Sequence, residues 1–148
     1  MVDRRTPDDP GLSQAHADAQ IRRPLSILIV EDDSDAADAQ ARLLELAGHT
    51  VHVVADGLAA LEAVGNHAPD VILLDLGLPR LNGYEVARRI REQPWTKRPL
   101  LVAVTGFSEP RHREYTDAVG IDLHLVKPID HDALEKLLTR FHGVVGAG

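Results

Sequence analysis

From Leu25 onward the apolar positions switch repeatedly between two periods. Five short runs rich in Val, Ile and Leu, at 25–30, 50–55, 71–75, 100–105 and 122–126, predict strands. Four of them are nearly continuously apolar, as expected of parallel strands covered by helices on both faces. The stretches between them carry a helical period. In 34–47, Ala36, Ala39, Leu43, Leu44 and Ala47 share a face, and near the end Leu134, Leu137, Leu138 and Phe141 fall at i, i+3, i+4 and i+7. Asn82 with Glu85 three residues later reads as a capping box opening the third helix, and Ser108 with Glu109 and Pro110 suits the start of the fourth. The pattern is (βα)5, whose crossovers are right-handed almost without exception. It predicts an α/β fold with a doubly wound, five-stranded parallel sheet in the order 2-1-3-4-5.

The first 24 residues break this pattern. Pro7 and Pro10 interrupt a polar stretch in which Asp3, Asp8, Asp9 and Asp18 are offset by Arg4, Arg5, Arg22 and Arg23, with little to bury. Residues 1–24 are expected to be a disordered or loosely attached tail, 25–142 one folded domain and 143–148 a flexible end. The chain's 148 residues suffice for one such domain. A formal net charge of −7 argues against nucleic acid or an anionic membrane as partner. Cysteine is absent, which excludes disulfides and Cys-based zinc sites and fits a reducing compartment. Apolar runs such as 100–104 fall far short of the roughly 20 residues that span a bilayer. No signal-peptide core opens the chain, so a cytoplasmic protein is expected.

Ligands of an open α/β sheet bind beyond the carboxyl ends of the strands, where the strand order reverses. In the order above that point lies between strands one and three. Strand one ends in Glu31-Asp32-Asp33, strand three in Asp75, strand four in Thr105-Gly106 and strand five in Lys127-Pro128. Asp33 or Ser34 is best read as the cap of the first helix, outside the site. Taken singly, the others have plain readings: a solvated turn, a β-branched strand residue, a strand terminator. Taken together they do not, because clustered carboxylates repel and call for a cation. Mg²⁺ takes oxygen ligands and keeps several waters, so one or two carboxylates and a carbonyl suffice.

Four motifs carry a family resemblance: Ile27-Leu28-Ile29-Val30-Glu31-Asp32-Asp33, Val71-Ile72-Leu73-Leu74-Asp75-Leu76-Gly77-Leu78-Pro79, Ala103-Val104-Thr105-Gly106 and Leu125-Val126-Lys127-Pro128. In order and spacing, over about 25–142, they resemble the bacterial two-component response-regulator receiver domain, which has a flavodoxin-like fold. The resemblance implies that Asp75 is the phosphoacceptor, that Asp32 and Asp75 bind Mg²⁺ with the Gly77 carbonyl, and that Glu31 acts through a metal-bound water. It implies that Thr105, the Gly106 amide and Lys127 hold phosphoryl oxygens, and that the Lys127-Pro128 peptide is cis. His124 stands at the switch position, where the family usually carries Tyr, Phe or His; the plain alternative is an exposed strand histidine. Gly106 and Asn82 depart from commoner family choices without impairing the site. Gly77 and Phe107, at positions that influence phosphoryl lifetime, offer no polar side chain to an attacking water, so slow self-hydrolysis is expected.

The partners so implied are a histidine kinase or histidine phosphotransfer protein as donor and a downstream protein as reader, in a phosphorelay or a conformational signal. Such a chain is a phosphoacceptor signalling domain rather than a conventional enzyme. With only 143–148 after the last helix and a Met at position 1, the expected form is a stand-alone receiver. The alternatives are the receiver portion of a hybrid kinase and a phosphorylation-independent interaction module; the latter would predict a broken acidic pair or a missing lysine. A phosphatase of the haloacid dehalogenase type wants a second acid two residues after its nucleophile, where this chain has Gly77. Seven further histidines (16, 49, 52, 67, 112, 131 and 142) show no ligand-like spacing, and Trp95 reads as packing on the domain edge.

Overall fold

A computed structural model describes residues 24–78, 83–93, 97–106 and 120–147. The expectations for the tail, the Asn82 cap, the fourth helix opening at Ser108, and Phe107 and Trp95 lie outside those residues. The elements are β1 (Ser26–Val30), α1 (Ser34–Leu46), β2 (Thr50–Val54), α2 (Gly57–His67), β3 (Val71–Asp75), α3 (Gly83–Glu92), β4 (Leu100–Thr105), β5 (Leu123–Val126) and α4 (His131–Ala147). All strand pairs are parallel, in the order β2-β1-β3-β4-β5. The predicted order is therefore the observed one.

Alternation along the strands builds two apolar layers. Leu28, Ile72, Leu74 and Leu101 face Val64 of α2 and Ile90 of α3. Ile27, Ile29, Leu73 and Val102 face Leu44 of α1 and Leu134 and Leu138 of α4. The central strands β1, β3 and β4 are almost wholly buried, whereas β2 and β5 are partly exposed because each forms an edge.

Two helices differ from expectation. α1 turns Ala37 and Leu44 inward, with Ala41 and Gln40 half-buried, and leaves Ala36, Ala39, Leu43 and Ala47 exposed. Alanines on every side of this helix blur its hydrophobic stripe. The inward stripe is Ala37, Ala41 and Leu44 at i, i+4 and i+7, and the Asp33 carboxylate caps the helix by accepting from the Asp35 and Ala36 amides at 3.1 and 3.3 Å. α4 runs through Ala147, so 143–147, expected as a flexible end, continue the helix. Gly143 and Gly146 lower helix propensity there, but no proline breaks the ladder.

The start of β5 is pinned by Arg91 of α3. Its guanidinium donates to the carbonyls of Gly120 and Pro99 at 2.8 and 3.0 Å and pairs with Asp122 at 2.6 Å. Gly120 has φ +82°, and a Cβ there would sit 2.8 Å from Arg91 Cγ, so glycine is needed both for the turn and for the close approach. From there β5 runs in register with β4 as far as Thr105 and Val126, which brings Lys127 to the far end of the strand.

Candidate functional site

Because β1, β3 and β5 run parallel, their carboxyl ends present Glu31, Asp75 and Lys127 side by side. By alternation all three side chains belong to the face that carries α1 and α4. Asp75 is buried at 7% exposure although it is an acid. One carboxylate oxygen accepts the Gly77 amide at 2.9 Å and the other the Lys127 ammonium at 3.3 Å. The same ammonium lies 3.0 Å from a Glu31 oxygen, and the second Glu31 oxygen accepts the Asp33 amide at 3.2 Å. Carboxylate oxygens of Glu31, Asp32 and Asp75 all fall within 4.8 Å of one another. Lys127 is itself steadied by its amide, which donates to the Thr105 carbonyl at 2.8 Å, and its peptide with Pro128 is cis, as expected.

Two shifts describe the electrostatics. Burial pushes the Glu31 carboxyl above its ordinary range; Lys127 and the Asp33 amide pull it back, and the neighbouring Asp75 charge adds to the rise. Burial works against the Lys127 ammonium, but the Glu31 hydrogen bond and the Asp75 and Glu31 charges outweigh it, so the net shift is upward. The lysine is therefore well compensated and the glutamate is not. One ammonium, 38% exposed at its side chain, does not neutralise three carboxylates.

This donor set fits a hard divalent cation: all its ligand atoms are oxygens, close enough to share one ion and short of positive charge. Asp32, exposed and forward of the cluster, adds a third acid at its edge. A Cβ on Gly77 would meet nothing nearer than Asp75 Oδ1 at 3.5 Å, so no steric demand imposes glycine there.

Thr105, Gly106 and His124 are placed differently. Thr105 is 3% exposed, and alternation with Leu101 and Ala103 turns its side chain toward the α2/α3 face, opposite to Asp75 and Lys127. Gly106 follows it on the exposed rim, with room for a Cβ. His124 pairs in register with Ala103 and shares the face of Thr105; it is half-buried rather than an exposed strand histidine. Thus four predicted residues (Glu31, Asp32, Asp75 and Lys127) form one charged cluster, while Thr105 and His124 lie on the sheet's other face.

Sequence reasoning missed the wall of the site. A cleft of about 420 Å³ opens beside Asp75 between α1 and the segment after β5, lined by Ala36, Ala37 and Gln40 on one side and Pro128 and Ile129 on the other. The small residues in the first turns of α1 were the available signal. Elsewhere His49 Nδ1 accepts the Leu25 amide at 3.2 Å, and His52 and His67 stack with centroids 4.0 Å apart. No described helix is long and apolar enough to cross a membrane.

Comparison with known proteins agrees with this geometry. The model of the response regulator receiver domain matches residues 27–139. Response regulator MprA of Mycobacterium sp. (strain KMS) is 36% identical over 122 residues, which are 82% of this chain and 51% of that protein. The chain thus spans about half the length of the curated relatives it matches. The CheY-like receiver domain from Methylobacillus flagellatus superposes with a TM-score of 0.71 at 33% identity, covering 80% of this chain and 99% of that one. The receiver domain of sensor histidine kinase PA1611 from Pseudomonas aeruginosa, solved with a magnesium ion coordinated in its active-site cleft, gives 0.74 at 32% identity over 82% and 99%.

Proposed function

This chain belongs to the response regulator receiver domain family, and we propose that Asp75 is its phosphoacceptor, taking a phosphoryl group from the phosphohistidine of a kinase or phosphotransfer protein. The observation that carries this reading is the Lys127 ammonium bridging Glu31 and Asp75 at 3.0 and 3.3 Å, which leaves one buried carboxylate oriented and partly charge-compensated beside an open cleft.

Phosphoryl transfer asks the protein for in-line positioning and charge neutralisation more than for covalent help. The Gly77 amide holds one oxygen of Asp75 and fixes the orientation of the carboxylate. The phosphorus bonds to a carboxylate oxygen as its bond to the donor imidazole nitrogen breaks, and that nitrogen keeps the electron pair. Lys127 meets the incoming charge without a large search, since its backbone is tied to Thr105. Asp32 and Asp75, with the Gly77 carbonyl and with Glu31 through a water, would hold Mg²⁺. When bound, the ion supplies the charge neutralisation that Lys127 leaves unfinished.

The Thr105 hydroxyl and the Gly106 amide are proposed to receive phosphoryl oxygens. Since Thr105 starts on the opposite face, its recruitment would draw the end of β4 toward Asp75 and make room beside His124, which shares its face two register positions away. His124→Ala should keep phosphorylation and lose phosphorylation-dependent partner binding; unchanged binding refutes the switch role. We propose that the message passes to a partner protein, by this repacking or by onward transfer to a histidine. The likeness to the receiver domain of sensor histidine kinase PA1611 favours a second setting, inside a hybrid kinase. Incubation with acetyl phosphate and Mg²⁺ followed by intact mass tests the chemistry; a single phosphoryl gain absent from Asp75→Ala supports it, and no gain from any donor leaves only an interaction module.

A further inference from the structure

At the pole opposite Asp75, where β4 and β5 begin, a groove of about 500 Å³ runs between those strands and α4. Its floor is apolar: Leu100, Leu123, Leu137 and Phe141, with Leu123 left 40% exposed. Its rim carries Lys136 and Arg140, one turn apart on α4 and both exposed. Among the described residues neither forms an ion pair, and the neighbouring Glu135 has its Oε2 3.5 Å from His131 Nε2, a pair only when that histidine is protonated. Two cations without a direct ion pair, with Asp132 and Glu135 as the acids on the same helix, stand over an apolar floor in a chain of formal net charge −7.

We propose that this groove binds a single-chain carboxylate, its hydrocarbon body over Leu123, Leu137 and Phe141 and its carboxylate between Lys136 and Arg140. Charge complementarity selects the head group, since an exposed cation pair favours a planar anion that both can contact. The volume is that of a small-molecule cleft rather than of a protein interface. The chain's own first 23 residues are a poor match, because their four aspartates are offset by four arginines. A second copy seated groove to groove would bring four cations together.

The test uses the full chain and NMR titration with hexanoate, octanoate and decanoate below their micelle concentrations, with octanol as the uncharged control. The expected result is saturable shifts centred on Leu123, Leu137 and Arg140. Affinity should rise about two- to fourfold per added methylene, the upper figure being full burial. Octanol should bind at least severalfold more weakly than octanoate. The double variant Lys136→Gln with Arg140→Gln should weaken octanoate about five- to tenfold and leave octanol unchanged, with amide dispersion confirming the fold. Leu123→Ser should flatten the chain-length dependence while keeping the preference for the anion. The proposal is overturned by an absence of saturable shifts, by equal binding of octanol, or by an unaffected double variant. It is equally overturned if the shifts centre on residues 1–23, which means displacement of the chain's own segment, or if ligand lowers a concentration-dependent mass, which means a second copy.

Discussion

Removing a charge from the acidic cluster should strengthen the metal-free fold, and Asp32→Asn is the cleanest case. Asp32 is exposed and lies within 4.8 Å of the carboxylate oxygens of both Glu31 and Asp75. Two unit charges at that separation repel by about 0.9 kcal/mol even at the dielectric constant of water, so two such pairs reach about 1.7 kcal/mol. The nearby Lys127 ammonium and salt screening reduce this to about 1 kcal/mol. In EDTA, Asp32→Asn should therefore unfold at higher urea than the parent by about 1 kcal/mol, with an unchanged m-value. Mg²⁺ should reverse the order. At about ten times its Kd the ion stabilises the parent by about 1.4 kcal/mol, whereas the variant, lacking a ligand carboxylate, should gain little. Urea titrations followed by circular dichroism, with EDTA and with Mg²⁺, give all four values. A variant no more stable than the parent in EDTA, or one that responds fully to Mg²⁺, refutes the reasoning.

Three further outcomes follow from the same cluster. Lys127→Gln should slow phosphorylation by acetyl phosphate about 10²- to 10³-fold, the usual loss for one charge-stabilising donor, while Mg²⁺ still binds by fluorescence or calorimetry; an unimpaired rate contradicts the role of the ammonium. Glu31, raised above its ordinary range by burial, contributes stability below its unfolded-state pKa and loses it as pH rises through the folded value. In EDTA, Glu31→Gln should therefore gain on the parent between pH 3.5 and 7, and an advantage that is constant or shrinks over that range overturns this sign. Because Gly77 brings no side chain to orient water, the phosphorylated protein should persist for minutes or longer at neutral pH with Mg²⁺; a lifetime of seconds by radiolabel decay refutes this.

What the sequence conveyed well was set by strong local patterns. Continuous apolar runs mark β1, β3 and β4, and parallel pairing with short connections leaves few orders open, so the acids at the strand ends could be assembled before any coordinates. Alanine satisfies both a buried and an exposed position, so the pattern alone does not separate the buried Ala37–Ala41–Leu44 stripe of α1 from the exposed one through Ala36, Ala39 and Leu43. The face of Thr105 was legible in principle from its alternation with Ala103, yet nothing local says that Lys127 engages Glu31 as well as Asp75. That contact spans 96 residues of sequence, a tertiary feature with no short-range signature.

Asp75 is the proposed phosphoacceptor. Exposure of the full chain to acetyl phosphate and Mg²⁺, quenching and peptide mass spectrometry after borohydride reduction, reads that residue directly. The predicted result is one phosphoryl group per chain, with the reduced acyl phosphate mapped to Asp75 and absent when Mg²⁺ is chelated. A modification mapped to Asp32 or elsewhere, or none with either acetyl phosphate or a phosphohistidine donor, contradicts it.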